Sequence, residues 1–567
     1  MKVSRRWAAL VPVTVVSLAL AGCGSSDNTS GGGNTTVPAT TQNDTNKTPR
    51  DQLQDGGTFT WVLIQIPANY NLNEIDGNLK DGADVMSALL PQAFYTDSTG
   101  MPYVNKDLLD DAQLTSTDPT QVVTYKINPK AVWNDGTTTT PITAADFIAQ
   151  WKALNGTKTA YKITSSNGYD QMSNVAQGKD DHEVVITFKN KYADWKSLYA
   201  PLYPASTNSD PKVFNDGWTA KPLFSAGPFK LDKIDKTAKT ITLVRNDKWW
   251  GNPAKLDKIV YRAIDSDAQV DSLANGEIDE IDIGPDIDKY SRAKTIQNVA
   301  LHKAGGPNFR HLTMNSQSPV LQDVNVRQAL AVGIDRTRIA AALLGPLEVP
   351  AVPLNNHVFM SNQAGYQDNS GDVGKFNADA AKQKLDAAGW ALPAGGTYRQ
   401  KGGKELDISF VIPSQVAASE KEAKQVQAML KVIGVKVNIN TVPSDGFFDK
   451  YVIPGHFDFT VFSWIGTPFP ISSNKSIYAN PKGDNIQQNF ARVGSAEIDG
   501  LFDQATAELD EAKARTIANQ IDALIWKEVH SLTTYQRPEI VAVKSNVGNF
   551  GAFGFASTIY EDIGIKK

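Results

Sequence analysis

Cys23 is the only cysteine in the 567 residues, and it is the side chain whose chemistry its neighbours announce most clearly. With a single cysteine no disulfide can form within the chain, and a free thiol outside a cell is a liability. The other candidates for chemistry are sparse. Six histidines, at 182, 302, 311, 357, 456 and 530, are scattered singly, so an imidazole site would have to be assembled from distant segments. No Gly-x-Ser-x-Gly elbow, His-Glu-x-x-His helix or Gly-rich Lys-Ser/Thr loop occurs. Asp265, Asp267, Asp279, Asp282, Asp286 and Asp288 lack the regular spacing and closing Glu of a calcium loop, and read as solvated acidic loops. These residues nominate no catalytic group, metal set or cofactor, and the chain is not expected to be an enzyme.

The position of Cys23 gives its chemistry. Lys2, Arg5 and Arg6 precede an almost uncharged apolar run, residues 7–20, and then Leu20-Ala21-Gly22-Cys23. A basic region, an apolar region and small residues form the layout of a secretory signal. The four-residue stretch resembles the bacterial lipobox, whose Cys is acylated and becomes the first mature residue; an ordinary signal with an incidental Cys is the alternative. Residues 24–57 are dominated by Gly, Ser, Thr, Asn and Asp, a composition that cannot bury enough surface to fold. The expectation is a signal peptide over 1–22, then a lipidated Cys and flexible linker over 23–56. The protein would be lipid-anchored at the extracytoplasmic face of the cell membrane. The whole chain has 56 basic and 61 acidic residues, a net charge of −5 and no basic run, which argues against nucleic acid as a partner.

About 510 residues then need more than one hydrophobic core. Residues 58–66 read as a strand leading into a polar loop with Tyr70. Alternating Val123, Tyr125 and Ile127 mark another strand. Thr143 with Asp146 has the spacing of a capping box, ahead of Phe147, Trp151 and Leu154 on one helical face. Asp323 and Asn377 stand where helix caps are expected, and Gly276, Gly389 and Gly434 where helices stop. A helix opened by Ser419 carries Ala423, Val426 and Leu430 on one face, between strands at 408–412 and 435–439. Gly305-Gly306-Pro307-Asn308 reads as a break between blocks. Strand–helix–strand succession predicts an α/β fold with partly parallel sheets.

The blocks also match a family pattern in order. Trp133-Asn134-Asp135-Gly136 with Thr143-Ala144-Ala145-Asp146 comes first, followed by Gly227-Pro228-Phe229 and Arg245-Asn246 with Trp249-Trp250. Gly276-Glu277-Ile278-Asp279, Asn325-Val326-Arg327-Gln328-Ala329-Leu330 and the stretch from Ala381 through Trp390 then follow. Together they resemble the extracellular solute-binding proteins of family 5, the oligopeptide- and dipeptide-binding lipoproteins of ABC importers, in their actinobacterial form. The resemblance implies a two-lobed, type II clamp of the periplasmic-binding-protein kind. Lobe I would cover 57–305 with an extra subdomain at about 84–215, lobe II 306–534, and a return segment to lobe I 535–567.

The resemblance also implies ligand-lining positions: Trp464, Gly466 and Tyr535, with Tyr70 in a lining loop. Arg492 either meets a ligand carboxylate or stands in solvent. Peptide-binding relatives carry an Asp three residues after the Trp, for the peptide amine; here that position is Thr467. Their Arg six residues before that Asp is Val461 here, and a second pocket Trp is Ser444. The implied function is capture of a solute, an oligopeptide first, for delivery to ABC permease subunits by a monomeric lipoprotein. The alternatives are a non-peptide solute, such as an oligosaccharide or modified amine, and a surface sensor without transport.

Overall fold

The structure, a computed structural model, describes residues 42–483 and 485–567. The expected signal peptide, Cys23 and the first part of the expected linker lie outside the described residues. Strand β1 (Thr58–Leu63) alternates, burying Phe59, Trp61 and Leu63. Next comes a four-stranded antiparallel sheet of β2 (Leu109–Ser116), β3 (Val122–Ile127), β4 (Met172–Gln177) and β5 (Glu183–Phe188), in the order β2-β3-β5-β4. Helix α1 (Ala144–Leu154) buries Phe147 and Leu154, and its start carries the expected capping box between Thr143 and Asp146. Strands β6 (Phe229–Asp235), β7 (Thr240–Arg245) and β8 (Lys258–Ala263) then join β1 in the order β1-β8-β7-β6, with β1 and β8 parallel.

The second half is built on a six-stranded sheet. Its strands are β9 (Glu280–Asp282), β10 (Val299–Met314), β11 (Asp407–Pro413), β12 (Lys436–Val442), β13 (Phe459–Ile465) and β14 (Ser531–Lys544). Their order is β9-β14-β10-β13-β11-β12, with β11 parallel to both β12 and β13. Helices α2 (Val324–Val332), α3 (Arg336–Leu344) and α4 (Ala417–Val432) contribute Leu330, Ile339 and Val426 to the core on one side. Asp323 caps α2 by accepting from the Asn325 N–H, and Asn377 caps the helix Ala378–Ala387. Ser419 does not open α4. It lies buried in the first turn, and the N-cap is Val416.

Two large cores result, each removing aromatic and branched side chains from water at roughly 1.5–3 kcal/mol apiece. One gathers Phe59, Tyr125, Phe147, Tyr203 and Tyr261; the other gathers Leu312, Leu330, Phe410, Val426 and Trp526. Strands β10 and β14 serve both, with Ala304 and Val541 in the first and Leu312 and Leu532 in the second. Their pairing slips between Gly305 and Phe309, opposite Pro538 and Gln536. Gly305-Gly306 is therefore a bulge inside a continuous strand, not a break. A Cβ on Gly306 would stand 2.8 Å from the Arg537 carbonyl oxygen, so the approach of the two strands requires glycine.

Two expected boundaries differ. Residues 269–293, expected in lobe I, bury Val270, Leu273, Ile281 and Tyr290 in the second core. Residues 42–56, expected as free linker, dock on the C-terminal segment. Asp44 bridges Ala552, Leu53 is buried and bridges Lys566, and Arg50 pairs with Asp562. Composition misled here because these bonds use backbone groups and polar side chains, which need no apolar run.

Candidate ligand-binding cleft

In sheets with parallel strands, ligands gather outside the carboxyl ends of those strands. Strands β11, β12 and β13 end together at Pro413, Val442 and Ile465, and β1 and β8 end at Leu63 and Ala263. Large apolar side chains are left in solvent there: Ile64 is 73% exposed, Ile465 74%, Phe448 42% and Val416 36%. Exposed aliphatic and aromatic groups beside strand ends offer apolar contact surface. The pair β10–β14 is shared by both cores.

Register divides the side chains of this region between two faces. Arg310 stands opposite Ser463 on one side and Tyr535 on the other; Phe309 stands opposite Trp464 and Gln536. The first row is polar. Buried Arg310 donates from Nε to Glu422 at 3.1 Å and from a terminal nitrogen to Ser419 Oγ at 2.9 Å, with a second bond to Glu422. Burial works against the guanidinium charge, but Glu422 more than offsets it and raises the Arg310 pKa. Tyr535 is buried against the same pair, and burial drives its phenol well above its ordinary range. Two residues on, Arg537 reaches Ser463 Oγ at 3.4 Å. Two further, Glu539 accepts from the Phe553 and Gly554 amides, and burial pushes its carboxyl up to about 7. On β9, Glu280 accepts the Val62 N–H at 2.7 Å, and burial pushes it up to about 8.

The second row is aromatic. The Trp464 ring lies nearly parallel to His311 (5.7 Å, 7°) and to Phe490 (5.6 Å, 10°), and edge-on to Phe462. His311 is buried beside Arg310, and burial holds its imidazole well below the usual range, in the neutral form.

The expected site residues fall into different places. Trp464 is half-buried, and its stacking partners are the protein's own rings. Tyr535 lies on the opposite face, so the register does not set these two side by side. Gly466 does permit close backbone approach, but to Pro307: its N–H donates to the Pro307 carbonyl at 2.8 Å, and a Cβ would meet that oxygen at 2.6 Å. Thr467 spends its hydroxyl locally, donating to Ser473 Oγ at 3.1 Å and accepting from the Phe469 N–H at 3.1 Å. Tyr70 is packed in the first core, 1% exposed, with its carbonyl accepting from Tyr203. Burial pushes its phenol up to about 12. Arg492 is consumed by carbonyls of Phe490 and Ile453, so neither a ligand carboxylate nor bulk solvent is its main partner. His530 follows the last long helix, Glu511–Glu528, and is buried with Nε2 2.9 Å from Asn489.

Arg310, Glu422, Arg537 and Glu539 were missed by sequence reasoning, and Asp282, read as part of a solvated acidic loop, ends strand β9 with its side chain exposed. Tyr535, Arg537 and Glu539 do alternate along β14, a visible signal for one polar face. Among the described residues, the group of acids and histidine close enough to share a cation is Asp180, Asp181 and His182, on a largely exposed turn away from this region.

Comparison with known proteins gives four findings. The description "Bacterial extracellular solute-binding proteins, family 5 Middle" matches residues 105–485. The chain is 40% identical to the "Oligopeptide-binding protein OppA" of Mycobacterium tuberculosis (strain ATCC 25618 / H37Rv), across 100% of this chain and 95% of that one. Among solved structures, a periplasmic EDTA-binding protein EppA superposes with a TM-score of 0.81 at 26% identity, over 91% of this chain and 98% of that one. The Bacillus subtilis oligopeptide-binding protein AppA, in complex with a nonapeptide, has a TM-score of 0.68 at 21% identity, over 91% of this chain and 100% of that one, and supports the two-lobed fold.

Proposed function

Because the chain belongs to the bacterial extracellular solute-binding proteins of family 5, we propose that it captures oligopeptides outside the cell and delivers them to an ABC permease. The observation that carries this reading is the 40% identity to the mycobacterial OppA along the whole chain. The family is one of solute-binding proteins, not of enzymes. Its clamp works by population: a ligand touching both lobes adds contacts that exist only in the closed form and so favours closure. Strands β10 and β14 connect the lobes, and their bulge at Gly305-Gly306 offers a place for the bend.

The proposed ligand surface is the set of strand carboxyl ends bearing Ile64, Val416, Phe448 and Ile465, above the charged residues of β9 and β14. Apolar contacts and backbone hydrogen bonds would tolerate many peptide side chains. Among the residues first expected, Trp464 would contribute its half-buried ring. Gly466 and Thr467 shape the loop that leaves β13, and Tyr535 supports the polar row. Lipidation of Cys23 would hold the protein as a monomer beside its permease, on the outer face of the membrane. No helix among the described residues is long and apolar enough to cross a membrane.

A non-peptide solute is the second reading. It is favoured by the Thr467 hydroxyl, which is tied to Ser473 where an amine-holding carboxylate stands in peptide-binding relatives, and by the likeness to a protein described as EDTA-binding. Native mass spectrometry of the purified chain decides between them. A heterogeneous set of adducts that fragment as peptides supports the first; a single non-peptide mass overturns it. Fractionation of cells making Cys23→Ala tests the anchor, with release from the membrane expected.

A further inference from the structure

A hollow of about 790 Å³ is walled by Tyr535 and Arg537 of β14, the first turn of α4 and residues 283–291. Arg537 is singular among the arginines near the cleft. Arg310 has Glu422 and Ser419, and Arg492 has carbonyls. Arg537 is half-buried, has no ion-pair partner within 4 Å among the described residues, and makes a single long side-chain hydrogen bond, to Ser463. Glu422, a buried acid that acts on Arg537 at longer range, is already spent on Arg310.

A guanidinium has five donors in a fixed fork that matches a carboxylate, and leaving one under-used beside a cavity is costly unless something fills it. The same hollow receives Lys421 and the amino end of α4, a sixteen-residue helix whose N-cap, Val416, offers no side-chain oxygen to its first amides. Both favour negative charge. The hollow also carries acids. Asp286 accepts the Lys289 N–H as a helix cap, and Asp288 lies 3.8 Å from Arg292, so both have local cationic or amide partners. Asp282, on the exposed edge of β9, faces the same guanidinium at longer range.

Resting on the peptide-binding reading, we infer that Arg537 receives a free carboxylate of the bound ligand, with Lys421 and the start of α4 as supporting positive potential. The chain then selects peptides by an unblocked C-terminus or an acidic side chain placed at that end. This assigns the fixed point of recognition to the carboxyl end of the ligand. It fits the absence of an acid at 467, where an amine would have been held.

The test uses the full chain in detergent, offered an equimolar pool of pentapeptides as free acids and the same pool as C-terminal amides. Binding is read by native mass spectrometry and calorimetry. The wild type is expected to favour the acids by about tenfold, the scale of one charge-assisted hydrogen bond. Arg537→Gln should abolish the preference by weakening acid binding alone, and Arg537→Lys should keep part of it. Equal binding of acids and amides by the wild type overturns the inference without any variant, as does a preference that survives Arg537→Gln. If neither pool binds, the peptide reading itself falls and takes the inference with it.

Discussion

The two faces of the sheet at β10, β13 and β14 differ in how they are held together. On one face, Ser463, Arg310 and Tyr535 stand in a row whose order depends on a buried ion pair with Glu422. On the other, Trp464 and Phe309 belong to an aromatic assembly with His311, Phe462 and Phe490. The polar face depends on every partner being present, because an unpaired charge in low dielectric is expensive. The aromatic face is a sum of smaller contacts, each tolerant of its neighbours.

Glu422→Ala should expose this asymmetry most sharply. It strands Arg310, and a loss of about 3–5 kcal/mol in unfolding free energy is expected by chemical denaturation. A loss below about 1 kcal/mol would mean that water reaches Arg310 and that the row is not dry.

Protonation gives a second handle. Glu280 is raised to about 8 in the fold against an ordinary value near 4.5, so the folded state holds the proton more tightly than the unfolded one. Its contribution to stability is present below the unfolded value, declines as pH rises from about 4.5 to about 8, and is flat above. Subtracting the melting profile of Glu280→Gln from that of the wild type should show this falling limb; coincident profiles would place Glu280 in water.

On the aromatic face, Trp464→Ala should cost about 2 kcal/mol, less than full burial would predict because the ring is half-exposed. A cost near that of Glu422→Ala would erase the contrast. Ser463→Ala is the mildest change. Its hydroxyl offers Arg537 a 3.4 Å bond, so a shift within about 0.5 kcal/mol is expected, and a larger one would mean that Ser463 positions the guanidinium.

Local signals were the legible ones. The capping box of Thr143 and Asp146, the cap at Asp323 and the alternation at Val123, Tyr125 and Ile127 depend on neighbours a few residues away, and each takes its expected form. The family pattern carried the two-lobed architecture. What stayed hidden depends on distant pairing. Tyr70 lies in a polar loop by sequence, yet Tyr203, 133 residues away, fixes its carbonyl in the core. Arg492 meets the Ile453 carbonyl 39 residues upstream, and Gly466 makes room for the Pro307 carbonyl. The opposition of Trp464 and Tyr535 requires the register of three strands, which no local spacing encodes.

The docking of residues 42–56 against the C-terminal segment has an experimental consequence. Asp44 and Ala552, and Leu53 and Lys566, are bridge partners, so the beginning and the end of the described chain ride on the same body. Fluorophores attached near these two positions would keep a constant separation however far the clamp swings. A sensor of closure needs one dye on that body and the other beyond the bulge, for example on the exposed helix surface at Lys424.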